Sequence, residues 1–162
     1  MIKIIARYIH MVINKHCYIA ILFGWLYTGF GQFYNGQYLK GLLFVIFNTF
    51  NNQYGHLNQA MMYSFTGNIE SAKQILNYQW ILNYPAYFAY AQWDAYKFGF
   101  IRDNSVKPPI SHAFPFILAA MLSTVGIIYG SYSIDPIFVG LGGFLLGMVI
   151  GAIIIKISEK YR

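Results

Sequence analysis

Charged residues are scarce in this chain. Asp, Glu, Lys and Arg make up 10% of its 162 residues, against about a quarter in an ordinary soluble domain. A water-facing globule needs ionic groups to coat it, so the shortage points to an exterior that meets hydrocarbon. Acidic groups are the rarest, five against eleven Lys and Arg, for a net charge of +6. No long charged stretch is left over for a separate soluble domain, and one membrane domain over 1–162 is the expectation. Cysteine is nearly absent. The single thiol, Cys17, excludes an intramolecular disulfide; it reads as a small apolar residue or as a thiol placed for palmitoylation beside a span.

Catalytic signatures are missing too. No G-x-S-x-G, H-E-x-x-H, Walker-type or G-x-G-x-x-G run occurs. His10, His16, His56 and His112 stand apart from any Cys or carboxylate at ligand spacing. The residues predict no enzyme, no metal and no cofactor. A cleavable signal peptide is not expected either: the first apolar run begins after sixteen residues, lacks an A-x-A-like exit and leads into a Gly-rich turn.

What is present is apolar and aromatic. Residues 1–16 carry Lys3, Arg7, His10 and Asn14 on one helical stripe, with Ile2, Ile5, Ile9, Val12 and Ile13 opposite. That pattern predicts an amphipathic helix in the membrane interface, or a cytoplasmic extension of the first span. Residues 17–33 form an uncharged apolar segment near the lower length limit for a span. Residues 38–50 form a second, with Lys40 near its start. The polar stretch 51–79 predicts one short helix near 69–76, with Asn68 at its cap and Glu70 in its first turn. Residues 80–98 are aromatic and contain Pro85, which kinks a helix unless it falls in the first turn, and Asp94. A basic loop, 99–112, follows.

Residues 114–130 and 137–155 are the clearest spans. The short turn SYSIDP between them forces an antiparallel hairpin within 113–155, and a basic tail, 156–162, closes the chain. Gly143, Gly147 and Gly151 recur at i, i+4 and i+8, with Gly140 one turn earlier, which makes a flat groove for another helix backbone. The expected fold is all-α: a polytopic helical integral membrane protein with four or five apolar helices plus the N-terminal amphipathic helix.

Cations flank the apolar runs at Lys3, Arg7, Lys97, Arg102, Lys107, Lys156, Lys160 and Arg162. This placement fits a bilayer with anionic headgroups, and no basic stripe suits nucleic acid. Basic residues at 1–16, 99–112 and 156–162 predict both termini in the cytoplasm of a multi-pass cell-membrane protein. Four crossings meet that rule if 80–98 lies in the interface. Residue usage rich in Asn, Ile, Lys and Tyr fits a bacterial, A+T-rich genome.

The run Gly29, Gly31, Gln32, Phe33, Tyr34, Asn35, Gly36, Lys40 and Gly41, with Trp93-Asp94-Ala95-Tyr96, resembles the core of the TM2-domain family, small membrane proteins with two apolar helices joined by a tight Gly-aromatic turn. The likeness covers about 25 residues directly and 18–99 in outline. The family's His-Arg before the Phe-Tyr pair is absent here, and Gln32 stands in that place. The resemblance implies a membrane module and names no chemistry. In the turn, Gln32, Asn35 and Gln37 can satisfy backbone groups at membrane depth, and the whole run reads as a structural hairpin or as a notch for a lipid headgroup or partner helix. Asp94, a carboxylate inside an apolar segment, is a candidate polar site with Lys97 at i+3 and Lys40 as possible partners. A membrane enzyme acting on lipid has too few candidate acids, bases or nucleophiles within one segment, and two other functions lead. The first is a non-enzymatic scaffold, assembly factor or accessory subunit that binds other membrane helices in a homo- or hetero-oligomer. The alternative is a small channel or transporter, or a subunit of one, that uses Asp94.

Overall fold

A computed structural model of the chain describes residues 15–160. The amphipathic helix expected over 1–16 lies outside the described residues except for its last two. Among the described residues the structure is entirely helical, with no strand.

Helix α1 spans His16–Leu26. It stops where Tyr27 turns extended and Gly29 takes a left-handed φ of 108°. A side chain at Gly29 would also strike the Gly41 carbonyl oxygen at 2.5 Å, so only glycine suits the site. The expected single segment 17–33 is therefore two pieces, α1 and the short α2, Phe30–Tyr34. At 1.5 Å per residue α1 is about 16 Å long, half of what a bilayer core requires. A second glycine turn at Gly36, with φ of 76°, leads into α3, Tyr38–Gly55, five residues longer than its apolar run suggested.

The polar stretch is more helical than expected. His56 at a left-handed φ of 56° separates α3 from α4, Leu57–Phe65; α5, Ile69–Ile75, and α6, Tyr78–Ile81, follow. Asn68 occupies the cap position of α5 but makes no side-chain capping bond. Asn77 does cap α6, accepting from the Gln79 amide at 3.2 Å. Packing explains the extra helix: Ala60, Ala72, Leu76, Ile81 and Ile127 form one buried cluster, which periodicity in a Gln/Asn-rich stretch hides.

Helix α7 runs unbroken from Tyr84 to Asn104. Pro85 falls in its first turn, where the missing N–H is unneeded and no kink arises. The helix takes in 99–104, so the basic loop begins only at Ser105, whose φ is 57°. After a 3-10 turn at Ile110–Ala113 come α8, Phe114–Tyr132, and α9, Pro136–Lys160.

Contacts group into two compact units, 1–46 with 91–109 and 47–90 with 110–162. Among the described residues two helical stretches, Ile110–Tyr132 and Pro136–Lys160, are long and apolar enough to cross a membrane. The polarity of the chain is inverted relative to a water-soluble fold. Gln32, Asn51, Gln92, Asp94 and Asp135 are buried, and much of the buried apolar set is alanine. Large apolar side chains face outward: Phe114, Ile117, Met121, Val125 and Ile128 on α8, and Leu141, Leu145, Val149, Ile153 and Ile157 on α9.

Candidate polar site and glycine hairpin

In the first unit the Gly-rich turn is held against α7 by side-chain amides. Gln32 Nε2 donates to the Ala91 carbonyl at 2.8 Å and to Asp94 Oδ2 at 3.2 Å. Asn35 Nδ2 donates to the Ala95 carbonyl at 2.8 Å. The i, i+3 spacing of Gln32 on α2 and Asn35 just past its end thus matches the one-turn spacing of Ala91 and Ala95 on α7. The amides of Gln32 and Asn35 bond to backbone carbonyls, and those carbonyls belong to α7. Gly31 is the contact point, since a Cβ there would press into the Ala20 carbonyl and the Ala95 methyl. Gly24 leaves room for Gln92, and Gly99 for the backbone of Cys17. The Cys17 thiol is buried in that seam, consistent with its reading as a small core residue.

Asp94 meets Lys40, whose Nζ lies 2.9 Å from Oδ1. Lys97, three residues along α7, is not its partner; its Nζ sits 5.7 Å from the Phe98 ring centroid. The Asp94 carboxylate is therefore held by one ammonium and one amide N–H, and burial of its charge is compensated. The arrangement fits a structural lock: among the described residues Asp94 pairs with the Lys40 ammonium and the Gln32 amide.

The ends of α1, α2 and α7 are tied by a second cluster. Asp103 accepts from the His16 and Cys17 backbone N–H groups at 3.0 and 3.1 Å, capping α1 from another helix. Burial works to raise its pKa, but the Cys17 and His16 amides and the Cys17 side chain outweigh it. The carboxyl sits below its ordinary range as a result. His16 Nδ1 and the Tyr34 hydroxyl are 2.6 Å apart, and Arg102 lies over the Tyr34 ring at 5.6 Å.

In the second unit the glycine groove of α9 is occupied by α8 of the same chain. A Cβ at Gly147 would lie 2.5 Å from Ala119 Cα, and one at Gly151 or Gly143 would run into Pro115 or the Leu122 carbonyl. Gly140 faces Ile127; in return Gly126 and Gly130 on α8 meet Val139 and Asp135. Small residues on both helices let the backbones touch along the whole antiparallel hairpin. The helix that lies on this groove is α8 of the same chain. Thr124 Oγ1 bonds back to the Ala120 carbonyl at 2.9 Å, as helix hydroxyls often do.

Neither a protein-family model, nor a curated protein, nor a solved structure matches this chain.

Three features escaped the sequence reading. Asp135, 1% exposed, caps α9 through Oδ1, which accepts from the Ile137 and Phe138 amides at 2.7 and 3.0 Å. The Asp-Pro pair ahead of a long apolar run was the available signal. Asp103 carried no local signal, because its helix partner lies 86 residues away. Gln92 and Asn51 are buried with both amide atoms unpartnered among the described residues; neither a single Gln in an aromatic segment nor one Asn of a Gln/Asn-rich run announces burial.

Proposed function

We propose that the chain is a multi-pass protein of the cell membrane that works without catalysis, as a scaffold, assembly factor or accessory subunit for other membrane helices. The observation that carries this reading is the inverted polarity: buried amides and carboxylates inside, branched aliphatic and aromatic side chains outside. No charged residue stands between Asp135 and Lys156, about 30 Å of helix, which matches a hydrocarbon core. In this reading the α8–α9 hairpin crosses with its basic tail in the cytoplasm. The shorter apolar helices of the first unit enter the bilayer as well, and the Gly-aromatic turn marks kinship with the TM2-domain family.

Because α8 fills the glycine groove, partners meet the outward aliphatic faces. The lock between Asp94, Lys40 and Gln32 weighs against the channel alternative, since a conducting carboxylate must be free to exchange its counter-ion. The test is isolation in native-lipid particles with cross-linking. A second copy or another membrane protein should be captured reproducibly, and liposomes holding the purified chain should leak no more than empty ones. A lone monomer after cross-linking would overturn the scaffold reading. Ion flux lost on Asp94→Asn would transfer it to the channel alternative, and a stable monomer in buffer without detergent would remove the membrane itself.

A further inference from the structure

The cations of the first unit are gathered at fixed places. Among the described residues that unit holds Lys15, Lys40, Lys97, Arg102 and Lys107 against two carboxylates, Asp94 and Asp103, while the other unit balances three against three. Both carboxylates of the first unit are engaged, Asp94 by Lys40 and Asp103 by the start of α1. The excess is therefore positive and localised.

Two of these ammonium groups converge on one ring. Lys40 Nζ lies 4.7 Å and Lys97 Nζ 5.7 Å from the Phe98 centroid. The ring attracts both cations and brings the two ammonium groups to one aromatic side chain. Lys40 spends one donor on Asp94, is partly exposed, and keeps donors for a ligand. Lys97 forms no ion pair among the described residues. Lys40, Lys97 and Asp94 together leave one positive charge, which matches one phosphodiester. From Lys40 an apolar surface continues along α3, where Leu39, Leu42, Leu43 and Ile46 are exposed.

We propose that Lys40 and Lys97, held about Phe98, bind the phosphate of an anionic phospholipid whose acyl chain lies along the exposed leucines of α3. The site rests on the membrane reading above and makes it specific. The two ammoniums supply charge-assisted hydrogen bonds to the non-ester phosphate oxygens. Asp94 holds Lys40 in place and repels a second anion, and the leucines favour a diacyl lipid over free phosphate.

The experiment uses the full chain in a non-ionic detergent. Dihexanoyl phosphatidylglycerol, dihexanoyl phosphatidylcholine and inorganic phosphate are titrated separately, with apparent affinity read from the thermal unfolding midpoint. Phosphatidylglycerol should bind most tightly. Lys97→Gln should weaken it about fivefold, the worth of one lysine near an anionic surface. Lys97→Arg should restore binding, and Lys107→Gln, a cation of the same unit outside the site, should leave it unchanged. Equal binding of both lipids, equal affinity of wild type and Lys97→Gln, or a full effect from inorganic phosphate alone would each overturn the lipid site. A chain that needs no detergent would overturn the membrane reading and this inference with it; a chain that needs detergent but shows any of those three results loses this inference alone.

Discussion

Replacing Gly147 by alanine places one methyl group against the backbone of the facing helix. Its carbon would lie 2.5 Å from Cα and N of Ala119 and 2.6 Å from the Leu118 carbonyl carbon. Carbon contacts settle near 3.5–4.0 Å, so α9 must retreat by about 1 Å. Backbone atoms cannot swing aside as a side-chain tip can, and a straight helix carries the displacement to Gly143 and Gly151. Over-packing of this kind costs about 1–3 kcal/mol, offset by up to about 1 kcal/mol of helix propensity gained on losing a glycine. Gly142 supplies the control, because nothing lies within 4 Å of a Cβ there. Thermal unfolding in detergent, followed by circular dichroism, separates the two. Gly142→Ala should hold or raise the midpoint, whereas Gly147→Ala should lower it by roughly 2–8 °C for a chain of this size. Equal shifts in both variants would refute the assignment of α8 as the occupant of the groove.

Two further outcomes test the first unit. Lys40→Met should destabilise the chain more than the double change Lys40→Met with Asp94→Leu, because a buried carboxylate without its cation is worse than an apolar pair. The difference, on the order of 1–3 kcal/mol given the partial exposure of Lys40, is read from a double-mutant cycle, and identical losses would dissolve the lock. Asp103 sets an acid limit. Its folded pKa is lowered from 3.8, so its stabilisation is complete above that value and is lost as pH falls through the lower folded value. Asp103→Ala should lower stability at neutral pH and flatten the acid limb below pH 3.8; an unchanged limb would show that the cap contributes nothing.

The hairpin was legible because everything that makes it is local. Two uncharged runs of bilayer length, a six-residue turn and a glycine every fourth position all lie within 114–155. The same periodicity said that a helix would lie on the groove, and it was silent on which one. Residues 17–33 misled for a related reason: hydropathy sums over a window and does not register that Gly29 must turn left-handed to bring Gly41 alongside. In 51–79 the buried cluster of α4 and α5 is completed by Ile81 and Ile127 from outside the stretch, so a short window saw mostly Asn and Gln.

Composition and short-range pattern alone determined that the chain is helical and poor in charge, with two helices apolar enough to cross a membrane, a glycine hairpin and a Gly-aromatic turn. Those properties follow from side-chain transfer energies and helical periodicity, which act residue by residue. Only the tertiary structure decided that Lys40 rather than Lys97 takes Asp94, that Asp103 caps α1, and that α8 fills the groove. The first two pairings join residues 54 and 86 positions apart, and no local rule reports which distant groups will meet once the backbones pack.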